Sequence, residues 1–266
     1  MNKRALVTGA STGIGASIAK KLVANGWDLI LVARGQAILE QTKIDLEKIR
    51  SHVSVQIEAV DLTDEKACAQ MLDRIGRVDL LVNNAGRGVF GEALKESIPD
   101  MLTSIQLNCL ALTYLTLRIG RQMASAGGGQ IINISSLAGF IPSPYFSVYA
   151  ATKAYVTSLS ESLNYEYGRA GVKVNAICPG GVDTTFHRTA GLDERVIKKF
   201  GKVILSADEV ADSVMKTLNR DRSITVPGLT NKAMAFLFKF LPRSLNIKNT
   251  ASFYSRYLQS NPQHLK

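Results

Sequence analysis

The sequence predicts an α/β protein with a doubly wound, mainly parallel sheet of about seven strands and helices on both faces. Three observations carry this. Through the first two thirds of the chain, short aliphatic or β-branched runs alternate with longer segments of helical pattern, as a parallel sheet covered on both sides requires. The first strand-like run passes directly into a glycine cluster and then a helix. The length, 266 residues, suits one large α/β domain with an ample core.

The elements follow in order. Strands are expected near Arg4–Thr8, Asp28–Ala33, Val53–Ala59, Asp79–Val82, Gln130–Ile134, Val172–Cys178 and Ser223–Val226. Between them, helices are expected near Ile14–Asn25, Ala37–Arg50, Asp64–Ile75, Pro99–Ala126, Tyr149–Arg169 and Ala207–Leu218. Asn25-Gly26 ends the first helix, Thr63 is placed to cap the third, and Gly168 to Gly171 precede the sixth strand. No internal repeat is visible. Residues 1–228 are therefore read as one α/β domain, and 229–266 as a basic, partly apolar helical extension packed on or beside it.

Composition removes several function classes. Hydrophobic content of 46% with 20% charged residues is ordinary globular composition. Thr8-Gly9 interrupts the apolar N-terminal run too early for a signal peptide, and no run reaches transmembrane length. Cys68, Cys109 and Cys178 are widely spaced without a Cys-x-x-Cys pair, so neither a disulfide framework nor a zinc site is expected, and a reducing cytoplasmic compartment fits. His52, His187 and His264 lack paired carboxylates at ligand spacing, so no metal is assigned. Ser135-Ser136 lacks the Gly-x-Ser-x-Gly elbow of a nucleophilic hydrolase.

Glycine lets backbone approach a pyrophosphate, and the N–H groups at the start of a helix stabilise its charge. Thr8-Gly9-Ala10-Ser11-Thr12-Gly13-Ile14-Gly15 places three glycines where strand becomes helix. The spacing Gly-x-x-x-Gly-x-Gly differs from the commoner Gly-x-Gly-x-x-Gly. The second strand ends at Val32-Ala33-Arg34. An acidic residue near that position binds the ribose of NAD, whereas an arginine takes the 2'-phosphate of NADP. NADP(H) is therefore expected over NAD(H).

Tyr149 and Lys153 are four residues apart at the start of a helix, on one face and about 6 Å apart along the axis. A phenol titrates near about 10 when unperturbed, and a neighbouring cation lowers that value, which would make Tyr149 a usable acid or base.

With these motifs in order, the chain resembles the classical short-chain dehydrogenase/reductase family, whose fold is Rossmann-like, up to about Pro227. Thr8-Gly9-x-x-x-Gly13-Ile14-Gly15 resembles its cofactor loop, Asp61-Leu62 its adenine-side contact and Asn83-Asn84-Ala85-Gly86 its element after the fourth strand. Asn108, Ser136, Tyr149 and Lys153 match its catalytic tetrad. Pro179-Gly180 with Val182 and Thr184 resembles the segment that holds the nicotinamide carboxamide. The resemblance implies that Tyr149 protonates a carbonyl oxygen, or deprotonates the alcohol in the reverse reaction, while Ser136 holds that oxygen. Ser135 is the competing hydroxyl. Lys153 would lower the tyrosine pKa and bond the nicotinamide ribose, and Asn108 would help hold a water in a proton relay. Ser11, Thr12 and Asn84 join the implied cofactor contacts.

The segment from Thr185 to Gly201 is expected to form a lid. Family analogy puts Phe90, Leu137, Phe140, Ile141, Pro142 and Phe146 near an apolar substrate pocket. The leading reading is an NADPH-dependent carbonyl reductase acting on an apolar ketone, aldehyde or 3-oxoacyl-like compound. An NAD(P)-dependent alcohol or hydroxysteroid-type dehydrogenase stands as an alternative, as does a non-catalytic NADP-binding sensor or scaffold. A homo-oligomer, dimer or tetramer, is implied by the resemblance.

The formal charge of +10 could serve nucleic acid, anionic membrane or a phosphate-rich ligand. From Pro227 to Lys266 there is no acidic residue. Asn231 to Leu241 gives a helix apolar around most of its circumference, with Lys232 and Lys239 on a narrow polar strip. Such a helix needs cover, from the protein, a partner subunit or an anionic membrane surface, so peripheral membrane contact through 231–266 is a hypothesis. Nucleic-acid binding is not expected, because no recognition helix or stacking motif accompanies the charge.

Overall fold

The computed structural model describes residues 2–192, 204–218, 220 and 222–258. Its sheet contains β1 (Arg4–Thr8), β2 (Asp28–Ala33), β3 (Val55–Ala59), β4 (Leu80–Asn83), β5 (Gly129–Ile134), β6 (Val172–Ile177) and β9 (Ile224–Thr225), in the order β3-β2-β1-β4-β5-β6-β9. Every pairing in it is parallel. The expected doubly wound sheet is thus present, with its order reversing between β1 and β4.

The strands are apolar on both faces because both are covered. Ala5, Val7, Leu29, Leu31 and Val82 pack with Ile18 and Leu22 of α1 (Gly13–Ala24), Leu39 of α2 (Gln36–Glu47) and Val210 and Val214 of α8 (Ala207–Thr217). Their neighbours in the pleat, Leu6, Ile30 and Leu81, pack on the other face with Met71 of α3 (Glu65–Ile75), Leu115 and Ile119 of α5 (Leu112–Ser125) and Leu163 of α6 (Ser147–Gly168). This alternation follows from the period of two along a strand. A buried polar string crosses the second layer: Asn83 donates to Thr116 at 3.0 Å and to Asn133 at 2.9 Å, and Asn133 donates to Ser160 at 2.9 Å.

Local expectations needed revision in three places. Asp64, not Thr63, caps α3, accepting from the Ala67 N–H at 3.0 Å; Thr63 is held instead by the Asp61 carboxylate, to which its N–H and hydroxyl both donate. The helix expected from Pro99 to Ala126 is α4 (Ile98–Ile105) and α5 joined by a π turn over Gln106–Ala111. Asn108 lies in that turn, and its amide bonds both the N–H and the carbonyl of Arg87, at 2.9 and 2.8 Å. Such widened turns recur at functional positions within helices. A separate two-stranded pair, β7 (Val182–Asp183) with β8 (Leu205–Ser206), and the short α7 (Phe186–Thr189) had no sequence signal of their own.

Beyond β9, α9 (Leu229–Phe240) and α10 (Arg243–Leu258) complete the described chain. No helix among the described residues is long and apolar enough to cross a membrane.

Candidate active site

Ligands of open α/β sheets bind beyond the carboxyl ends of the strands, where strand order reverses. A cleft of about 1130 Å³ lies there, walled by the ends of β1, β2, β4, β5 and β6 and by residues from α9 and α10.

At one end the glycine loop forms a cradle. Gly9 sits at φ +62°, and a Cβ there would come within 2.9 Å of the Ala85 backbone. A Cβ on Gly15 would stand 2.2 Å from the Gly9 carbonyl oxygen, so Gly15 permits strand and helix to meet rather than lining the cleft itself. Asn84 ties the loop to β4: its side-chain amide donates to the carbonyls of Thr8 and Gly9 at 3.0 and 3.1 Å. No side chain caps α1 and no acidic residue occupies its first turn, while Ser11, Thr12, Gly13 and Ile14 line the cleft. An uncapped, acid-free helix start beside a glycine turn fits a pyrophosphate.

Arg34, Asp61 and Leu62 line the same end. Hydrogen bonds from Thr63 hold the Asp61 carboxyl below its usual range, and the nearby Arg34 charge acts in the same direction. Val182 and Thr184 line the cleft opposite the loop, where Thr184 would be 3.1 Å from a Cβ on Gly13.

At the other end, Tyr149 lies in the first turn of α6, stacked on Phe146 with ring centroids 4.3 Å apart. Its hydroxyl is on the side of Ser136, which favours the phenolate form. Lys153 sits one turn on, its Nζ 5.6 Å from the Tyr149 ring centroid and donating to the Ile134 carbonyl at 2.8 Å. The expected pairing on one face is present, but the expected lowering of the tyrosine pKa is not. Burial pushes the Tyr149 phenol up, the Ser136 hydroxyl opposes this only in part, and Tyr254 adds to the rise. The Lys153 ammonium is directed to a backbone carbonyl, and burial pulls it down to about 8. Without cofactor, Tyr149 is therefore a protonated phenol, the form an acid needs.

The two serines separate cleanly. Ser135 donates to the Lys153 carbonyl at 2.8 Å and shares a 2.7 Å bond with Thr157, so its hydroxyl is engaged with α6. Ser136 starts a short 3-10 turn, Leu137–Phe140, and its oxygen accepts from the Ala138 N–H at 3.1 Å while remaining beside Tyr149. Asn108 stands behind the cleft wall: its amide donates to Thr152 at 3.0 Å, and a Cβ on Gly86 would lie 3.3 Å from its Oδ1 and 3.6 Å from the Lys153 Nζ.

Of the residues expected around the substrate, Leu137, Ile141 and Phe146 line the cleft. Phe90 does not; it is buried in an aromatic cluster, 6.0 Å from Phe146 and 5.3 Å from Tyr254. Phe140 and Pro142 are also absent from the wall. Of the expected lid, Thr185, Phe186, His187, Thr189 and Leu192 reach the cleft, and the part from 193 to 201 lies outside the described residues.

Sequence reasoning missed the far wall. Met234 and Phe238 of α9 and Thr250, Phe253 and Tyr254 of α10 line the cleft. Asn231, 1% exposed, also lines it, with its Oδ1 lacking a hydrogen-bond partner beside Gly180. The apolar periodicity of 231–241 announced a helix in need of cover, but nothing local said what it would cover.

Comparison with known proteins places this geometry among relatives. A family model described as short chain dehydrogenase matches residues 3–195. A fatty acyl-CoA reductase of Acinetobacter baylyi is 34% identical over 263 residues, covering 91% of this chain and 86% of the relative. Among solved structures, a short-chain dehydrogenase from Sphingobium yanoikuyae in complex with NADPH superimposes with a TM-score of 0.79 at 31% identity, over 91% of this chain and 97% of the other. The bulky-bulky ketone specific alcohol dehydrogenase of Comamonas testosteroni follows at 0.74 and 29%, over 91% and 96%.

Proposed function

Since this chain belongs to the short-chain dehydrogenase family, and is thus an oxidoreductase, we propose that it is an NADPH-dependent reductase of a bulky, apolar carbonyl compound. The observation that carries the reading is that Ser136, Tyr149 and Lys153 line one cleft with the glycine cradle and Arg34.

Ser11 to Ile14 would hold the pyrophosphate, Arg34 the 2'-phosphate, Asp61 and Leu62 the adenine side, and Val182 and Thr184 the carboxamide. The bound cofactor supplies the hydride. Ser136 donates a hydrogen bond to the substrate oxygen, stabilising the charge that grows there. Tyr149 delivers its proton to that oxygen, and the Lys153 ammonium stabilises the phenolate left behind. Lys153 also bonds the nicotinamide ribose in this reading, and Asn108 positions water for the return of the proton.

The substrate class is read from the walls. Leu137, Phe146, Met234, Phe238 and Phe253 offer apolar surface, which suits ketones, aldehydes or 3-oxoacyl thioesters with large substituents. A ketone-specific enzyme and a fatty acyl-CoA reductase among the relatives support this. Exposed apolar side chains on α4 to α6, including Ile98, Leu102, Leu110 and Tyr165, support pairing of two copies through those helices.

Initial rates with NADPH and NADH across such carbonyl compounds test the proposal. NADPH is expected to be preferred at least tenfold, and Arg34→Ala should erase most of that margin. A preference for NADH would remove the role given to Arg34, and absence of turnover with every carbonyl class would remove the reductase.

A further inference from the structure

Helix α9 is apolar on the side where water would favour polar residues. Its inward side holds Asn231, Met234, Ala235 and Phe238, buried or half-buried, and at 100° per residue these span about 100° of arc. Opposite them stand Leu229, Ala233, Phe236 and Phe240, of which Leu229 is 83%, Phe236 65% and Phe240 70% exposed. The Phe236 and Phe240 rings lie 4.8 Å apart, so the exposed edge is continuous. Lys232 and Lys239, both exposed, occupy the adjoining strip. Arg243, Lys248 and Arg256 follow on α10 without an intervening acid, and none occurs from Pro227 to Lys266.

We propose that this face of α9 docks on an anionic lipid surface, with Phe236, Phe240 and Leu229 entering the boundary between headgroups and acyl chains and Lys232 and Lys239 lying over lipid phosphates. Charge selects this occupant. A twofold contact of the face with itself would bring an acid-free basic surface against its own copy, whereas an anionic leaflet supplies the missing negative charge. An apolar face suited to a second copy exists elsewhere, on α4 to α6.

Lipid docking of this face is independent of turnover. It does have a geometric corollary: the inward side of the same helix lines the cleft, so docking sets the cleft wall against the lipid, where apolar carbonyl compounds accumulate.

Flotation of the full-length protein with phosphatidylcholine vesicles, with and without phosphatidylglycerol, tests the proposal. The protein should float with the anionic vesicles alone, and high salt should release it. A Phe236→Ser/Phe240→Ser double variant should bind roughly tenfold less or weaker, with its thermal unfolding midpoint retained, and Lys232→Gln/Lys239→Gln should also lose binding. Neither pair lines the cleft. Wild-type protein that stays below the vesicles would overturn the proposal, as would a double phenylalanine variant that floats like wild type. So would a fall in oligomer mass of that variant by light scattering, which would assign the face to a second copy.

Discussion

At the scale of single residues, the cleft holds two buried titratable groups displaced in opposite directions. Tyr149 is held protonated by burial, and Lys153 is brought down to about 8. Tyr149→Phe removes the proposed proton donor, so kcat should fall by about 10²–10⁴ with NADPH affinity little changed, as steady-state rates and cofactor fluorescence would show. For Lys153 the sign follows from proton counts in the cofactor-free protein. Below about 8 both states carry the proton, and the folded state bears the desolvation cost. Between about 8 and 10.5 the unfolded chain retains a proton that the folded protein has released, so this residue's contribution to stability rises with pH across that window. Lys153→Met should therefore melt above wild type at pH 7, with the gap narrowing toward pH 10.5. A constant gap would mean that Lys153 titrates normally. Tyr149 and Lys153 were legible as a helical pair, and Ser136 from the family resemblance. The direction of the tyrosine shift was not, because it depends on how Phe186 and Tyr254 join the adjacent Phe146 around the ring, and those two come from distant parts of the chain.

At the scale of elements, the β1-to-α1 turn was the most readable part, since its conformation is imposed by backbone approach at a few glycines. Gly15→Ala would force a methyl group into the Gly9 carbonyl, 2.2 Å away. Overpacking of this kind costs about 1–3 kcal/mol, and it would displace the cradle as well. Both a lower melting point and weaker NADPH binding should follow, measured by thermal denaturation and fluorescence titration; loss of stability with unaltered binding would mean that the loop does not hold the phosphate. The π turn at Gln106–Ala111 was invisible in advance because helical periodicity does not register one extra residue in a turn. What secures Asn108 there is the backbone of Arg87, a partner 21 residues earlier. The β7 and β8 pairing was missed for a related reason, as two-residue strands carry no pattern.

At the scale of the whole molecule, two stretches of one chain build the walls of the cleft. The sheet, the glycine cradle and the tetrad all precede Pro227, whereas α9 and α10 supply the apolar far wall. Substrate affinity should then be separable from cofactor affinity. Phe253→Ala, which trims that wall, should raise KM for a bulky ketone about tenfold, a loss of about 1.4 kcal/mol, with the Kd of NADPH unchanged. Equal weakening of both would mean that α10 supports the fold rather than the substrate. The same division has a temporal side. During synthesis every strand of the sheet emerges before α9 and α10, so a nascent chain can assemble its nucleotide cradle and proton donor while one side of the reaction chamber is still missing. Under the proposed function, competence toward substrate would be acquired only once α9 and α10 have docked, and anything that delays their docking would yield a population able to bind cofactor but unable to retain a carbonyl substrate.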